Sequence, residues 1–305
     1  VFQGSVSSGY NQLSDLLGGA IMVEKLGAYW SPDEVPRTRT SVCAYFDVLG
    51  FTGEVRRAEG EGTSNELLGR FRNVATNWFV TLGDMFALDA NEPRRREFKT
   101  FTDNVVVGSP LEMGGHATEL SFVLSDIGLL QIGLVMEGFF VRGGTSIGAL
   151  YIDEQVVYGS ALLDAYECEQ AAVSPRVILH STAQTVVAHE AGLHYSMYGE
   201  RRGHRFTDEL LRDEDGKWFI NYLHDRFTSG GFDGPDYSTL QAHHDVVAER
   251  LAQFGANEHI RAKYLWVARY HNYFCDTYAP DIEDSARFDV APLRAAQLED
   301  AAEAF

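Results

Sequence analysis

Apolar and polar positions divide this chain into segments of two periodicities. From Ser41 to Phe46 a β-branched and aromatic run reads as a strand that stops at Asp47 and is followed by a turn at Gly50. A second run, Phe98 to Asp103 followed by Val105 to Val107, reads as a hairpin, and residues 139–147, 151–157 and 175–179 read as three further strands. Helical spacing appears over 10–30 (Leu13, Leu16, Leu17, Ile21, Met22, Leu26), with Pro32 and Pro36 breaking the chain before the first strand. It recurs over 66–88 (Leu67, Phe71, Val74, Trp78), 111–132 and 161–173. The order βααββαββαβ predicts an α+β fold with one antiparallel sheet and its helices on one face.

After about residue 181 the texture changes. Residues 204–218 are polar and charged, 228–235 read as a loop, and helices are expected over 239–255 and 258–278. The second carries an aromatic stripe (Tyr264, Tyr270 and neighbours) that needs a surface to cover, either core or a second copy of the chain. The Ala- and Glu-rich tail, 293–305, is expected to fray. His243-His244-Asp245 invites a metal-phosphohydrolase reading, but consecutive helical side chains point about 100° apart and do not readily share an ion.

Composition narrows the class. The chain has 305 residues, 45% hydrophobic and 23% charged, ordinary for a globular protein able to bury a full core. No apolar run reaches the length of a membrane span and no signal pattern opens the chain, so no membrane partner is expected. The three cysteines, Cys43, Cys168 and Cys275, are far apart and read as reduced thiols of a cytoplasmic protein. Val1 to Ser5 (1–5) looks like a protease-site vector scar. A net charge of −19 argues against a nucleic-acid polymer as partner, although divalent ions could still neutralise a single nucleotide.

Asp47 and Asp103, at two strand ends, form a pair of the kind that holds two divalent ions against a triphosphate. Around them three blocks occur in order. Phe46-Asp47-Val48-Leu49-Gly50-Phe51 comes first, then Lys99-Thr100-Phe101-Thr102-Asp103, then Arg142-Gly143-Gly144 to Gly148 with Tyr158-Gly159 opening an Ala-bearing helix. This set resembles the catalytic core of the class III nucleotidyl cyclases over residues 40–180, except that Thr102 stands where that family usually has Gly. Val156, Leu163 and Glu167 stand where purine-acting members carry a base-reading Asp or Thr, a transition-state Asn and a transition-state Arg. An intact metal half with altered base-reading and transition-state halves is similar to the bacterial Pycsar pyrimidine cyclases, whose product activates a partner effector in anti-phage defence.

The resemblance implies four segments: the scar, a helical segment over 6–39, a cyclase domain over 40–180, and a mostly helical extension over 181–305 packed on it. It implies a homodimer with two sites built from both chains, and Mg²⁺ or Mn²⁺ held by Asp47, Asp103 and the Val48 carbonyl, since hard cations take oxygen ligands. Backbone N–H groups of the Val48–Thr52 turn (Gly50, Phe51, Thr52) would cradle the triphosphate, with Phe46 beside them as a further substrate-binding residue. Lys99, which strand parity places on the face of Asp103, would read the base, or else it is an edge lysine that deters pairing. Arg142 would touch phosphate or pair with a core carboxylate, and Arg176 is a candidate substitute for the missing arginine. An ammonium only donates, which suits uracil O4 or adenine N1 and mismatches the cytosine amino group. Together with Val156 and the added bulk of Thr102, this implies UTP as substrate and cyclic UMP as product. Cytidylate cyclase, adenylate cyclase and a non-catalytic nucleotide sensor are the alternatives.

Overall fold

The computed structural model describes residues 27–31, 33, 35–74, 96–111, 116–198, 206–228 and 234–298. Most of the helix expected over 10–30, the end of that over 66–88, the scar and the last residues of the tail lie outside these.

Strand β1 (Arg39–Val48) is the centre of the molecule, antiparallel to β3 (Asn104–Pro110) on one side and to β4 (Val141–Ile152) on the other. β2 (Glu97–Phe101) forms the outer strand of a two-residue hairpin with β3. Beyond β4 the sheet continues through β6 (Val177–Leu179), β8 (Trp218–Ile220), β7 (Leu210–Arg212) and β9 (Ala296–Gln297). The β4–β6 pair is parallel and the other pairs are antiparallel, so the α+β class holds with a mixed sheet. The sheet passes through residue 180 without a break, and Leu210, Trp218 and Ile220 share one core with Phe46 and Val105. The strand expected over 151–157 is split. Asp153 Oδ1 accepts from the amides of Gln155 and Val156, an Asx turn that reverses the chain, so only β5 (Val157–Tyr158) pairs back on the end of β4.

Helices cover both faces of the sheet, which corrects the expectation of one helical face. One face carries α1 (Phe51–Glu61), α2 (residues 64–74), α3 (His116–Met136) and α5 (Ser181–Tyr198), packed on Val42, Ala44, Phe46 and Val48. The other carries α4 (Ser160–Ala171), over Cys43 and Val106, and α8 (Glu258–Tyr278), over Ile178 and Phe219. The central strands are apolar at both parities, so both faces exclude water. α4 lies close because Gly144 has no side chain; a Cβ there would stand 2.2 Å from that of Cys168. The short α6 (His224–Thr228) and α7 (Tyr237–Gln253) complete the second core with α8, whose aromatic stripe is core packing.

His243 and His271 sit inside that core rather than at a metal centre. His271 Nε2 is 2.8 Å from the Ala286 carbonyl, His243 Nδ1 is 3.0 Å from His271 Nδ1, and His243 Nε2 is 2.9 Å from the Tyr222 hydroxyl. With both rings neutral, one proton arrangement satisfies all three contacts: Tyr222 donates to His243, His243 to His271, and His271 to the carbonyl. In that arrangement a further proton on His271 Nδ1 would oppose the His243 N–H, and burial disfavours charge on either ring. Burial accordingly pushes both imidazoles down, His271 to about 4. The unfolded chain therefore binds more protons than the folded one between about pH 4 and pH 6.5, and stability is lost as pH falls through that window. Urea unfolding at pH 7 and pH 5 should show a loss of at least roughly 2 kcal/mol. Equal stability at the two values would exclude the neutral chain.

Candidate functional site

The register of the sheet brings the acidic pair together. Asp47 lies between Asn104 of β3 and Arg142 of β4. Asp103 occupies the β2–β3 turn, and its carbonyl accepts from the Val48 amide at 2.9 Å, tying the hairpin to the end of β1. Thr102, beside it, has a positive φ of 55°, the backbone slot that favours glycine. Its hydroxyl stands 2.7 Å from Asp103 Oδ1, which also accepts from Asn104 Nδ2 at 3.0 Å. Thr102 thus positions a carboxylate and is exposed at the turn. This corrects the expectation that its bulk narrows a base pocket.

Asp47 is half-buried, and its carboxyl is held above the usual range. Burial is the leading cause and the nearby Asp103 adds to it, while Arg142 and Lys263 oppose it. Arg142 Nε lies 3.3 Å from Asp47 Oδ2 and 2.7 Å from Glu169 Oε1 of α4. Of the two roles open to Arg142, pairing with carboxylates is therefore the one seen. Glu169 is buried, and burial raises its carboxyl as well. It was not singled out from the sequence, where it is one of several acidic residues on a helix.

Asp47, Asp103 and the Val48 carbonyl offer only hard oxygens. A second carboxylate close enough to raise that of Asp47, with Asp103 Oδ2 bonded to nothing among the described residues, suits a divalent cation such as Mg²⁺ or Mn²⁺. Among the described residues no cluster of three or more His, Cys, Asp or Glu side chains could hold a metal.

At the end of β1 the chain turns at Gly50 (φ 74°) and enters α1 with no side-chain cap. Gly53 and Glu54 donate to the Gly50 carbonyl, whereas the amides of Phe51 and Thr52 donate to nothing among the described residues. Phe51's ring packs on Phe71 at 5.2 Å, so only its backbone faces outward. Phe46 is corrected outright: it is 1% exposed on the opposite face of β1, and its side chain cannot touch a ligand at Asp47.

Lys99 shares the Asp47 face through the register Lys99–Val106–Tyr45. The parity with Asp103 fails because the strand ends at Phe101. Lys99 Nζ donates to the Asp153 carbonyl at 3.0 Å and borders an open groove of about 490 Å³ with Tyr45, Phe101, Gln155, Leu163 and Tyr166. Tyr45 and Tyr166 meet edge to face at 5.4 Å. Burial, followed by the surrounding carboxylates, pushes the Tyr45 phenol up to about 12.

Arg176 is not at the site. It is 2% exposed and paired with Asp213 and Asp215 on the far side of β4. Leu163 and Glu167 are exposed on α4.

No protein-family model matches the chain, and no curated protein matches it. Among solved structures it is similar to a class III adenylyl cyclase-like ATP-binding protein from Pseudomonas aeruginosa, at 16% identity and a TM-score of 0.32. That alignment covers 48% of this chain and 34% of the other, so the chain spans about a third of that protein's length. It is also similar to the guanylyl cyclase Cya2, at 14% identity and TM-score 0.35, over 60% of this chain and 92% of that one. A third is the catalytic core of a rhodopsin-guanylyl cyclase with converted specificity in complex with ATPalphaS, at 17% identity and TM-score 0.33, over 60% and 97%. Likenesses this distant bear on neither reaction nor substrate.

Proposed function

We propose that this protein is a metal-dependent nucleotidyl cyclase that converts UTP to 3′,5′-cyclic UMP and pyrophosphate. The observation that carries the reading is the meeting of Asp47 and Asp103 at one end of the sheet, beside the uncapped turn into α1. In this reading Asp47 and Asp103 would hold two divalent ions, which would supply acidification of the 3′-hydroxyl and neutralisation of phosphate charge. The Phe51 and Thr52 amides donate to phosphate oxygens at the positive end of the helix. The 3′-oxygen attacks the α-phosphorus in line, its proton passes to water, the bond from that phosphorus to the α,β-bridging oxygen breaks, and pyrophosphate leaves.

The base is assigned to the Lys99 groove, with Tyr45 and Tyr166 as its aromatic wall. One Lys99 proton is held by the Asp153 carbonyl and two remain, which match uracil O4 and mismatch the cytosine amino group. Val156 offers no polar group for a purine edge. The groove is open and bordered by the exposed Phe101, Leu163 and Tyr166, which supports closure by a second copy, hence a homodimer. On the Pycsar resemblance the product is a second messenger for an effector in cytoplasmic anti-phage defence.

A second reading, a nucleotide sensor without turnover, draws on Leu163 and Glu167, which supply no transition-state donor. Equal ATP, GTP, CTP and UTP with Mn²⁺, with products separated by mass, decide between the two. Cyclic UMP should dominate, over cyclic CMP by about 5- to 150-fold, the discrimination of one misplaced hydrogen bond. Dominant cyclic AMP would overturn the pyrimidine assignment, dominant cyclic CMP the Lys99 argument, and no cyclic product the enzyme itself.

A further inference from the structure

A cleft of about 370 Å³ separates the β1–α1 turn (Leu49, Gly50, Gly53) from the C-terminal helices. α8 enters it in a fixed pose. Asn257 caps the helix by accepting from the Ile260 amide at 3.1 Å, and Tyr264 is wedged against Phe140 at 5.0 Å and stacked on Phe254 at 5.6 Å. Lys263 precedes Tyr264 and lines the cleft.

Three cations line this cleft: Arg57, Arg250 and Lys263. Arg57 is paired with Glu54. Arg250 is consumed by Glu54 at 2.8 Å, Gln253 at 2.6 Å and the Gly138 carbonyl at 2.8 Å. Lys263 has no hydrogen bond or ion pair among the described residues, and its charge is felt by Asp47. Burial and the Arg142 guanidinium both work against the ammonium, and Asp47 offsets them only in part. An under-compensated cation thus shares a cleft with the turn whose Phe51 and Thr52 amides have no acceptor among the described residues.

We infer that Lys263 is a polyphosphate-binding residue, and that the cleft between the β1–α1 turn and α8 takes the terminal phosphates of the nucleotide. This rests on the reading of the Asp47–Asp103 end as a triphosphate site. It adds that the region beyond residue 181 completes that site within the same chain. α8 is then part of the binding machinery as well as core, which accounts for a lysine with no partner among the described residues at the sheet end.

The test uses the full chain, inorganic tripolyphosphate as probe with and without Mn²⁺, and cyclic UMP as a ligand lacking terminal phosphates. Lys263→Met should weaken tripolyphosphate binding by about 10- to 100-fold, the range for one charge-assisted hydrogen bond. Cyclic UMP affinity should stay within about threefold, and Lys263→Arg, which keeps the charge, should restore most of the loss. Lys263→Gln reads the same ratio if the Met variant does not fold. Unchanged tripolyphosphate binding in the variants, no binding to the wild type, or a parallel loss of both ligands would each overturn the inference. The two readings fail separately. A Lys263-dependent tripolyphosphate site with no cyclic product from any nucleotide would uphold the inference while sinking the cyclase. Cyclic UMP formation with unaltered tripolyphosphate binding in the variants would do the reverse.

Discussion

Replacing Asp47 or Asp103 by Ala is expected to lower cyclisation by roughly a thousandfold or more while the fold survives. Metal charge stabilisation is worth several kcal/mol in such transition states, and each ~1.4 kcal/mol is a tenfold change in rate. The two replacements should differ in stability. Asp47 is held against burial and a neighbouring carboxylate, and Arg142 keeps Glu169 at 2.7 Å when Asp47 is gone. Its loss should therefore leave the urea midpoint unchanged or slightly raised. Asp103 Oδ1 organises the hairpin turn through Thr102 and Asn104, so Asp103→Ala should cost about 1 kcal/mol. Asp103→Asn keeps an acceptor for that turn without the charge, and should recover the stability but not the activity. Product formation at a tenth of the wild-type rate or more, in either folded Ala variant, would sink the two-ion assignment.

What was legible in the sequence is what is local. β1 ends at Asp47, the hairpin carries Asp103, and β4, α4, β6, α7 and α8 follow runs with clear periodicity. The acidic pair was readable because each carboxylate closes its own strand. β7 and β8 are three residues long, too short for alternation to show, and lie in or at the end of a charged stretch. Helices on both faces follow from strands apolar at both parities, a pattern that an alternating strand would not share. Lys263 reaches the cleft only because α8 packs on β8, a contact between distant parts of the chain with no local signature. Thr102 was misread because its consequence is set by backbone conformation: a positive φ at the hairpin turns its hydroxyl to Asp103.

Arg176 is where the sequence and the structure part most sharply, and the difference carries the second large effect. An arginine following Pro175 looked like a substitute catalytic cation. In the structure it pairs with Asp213 and Asp215, and its guanidinium lies 5.6 Å from the Trp266 ring centre and 6.0 Å from that of Phe219. Asp213 also accepts from Trp266 Nε1 at 2.8 Å, so one cluster joins β6, the β7–β8 turn and α8. Burial alone would raise the Asp215 carboxyl, but hydrogen bonds from Arg176 and Lys217 outweigh it and hold the group at about 2. That contribution to stability is present above the ordinary Asp pKa and lost only as pH falls toward about 2, so it is complete at neutral pH. Arg176→Ala removes one partner of a buried cluster, leaves Asp213 without its cation, and empties the space between two rings. The expected loss is about 3–5 kcal/mol at pH 7 by urea unfolding. Because β4 stands between Arg176 and β1, and its guanidinium is engaged by Asp213 and Asp215, activity per folded molecule should stay within about threefold. Unaltered stability with lost cyclisation would return Arg176 to the reaction; lost stability with retained activity fixes it as the tie between the sheet extension and α8.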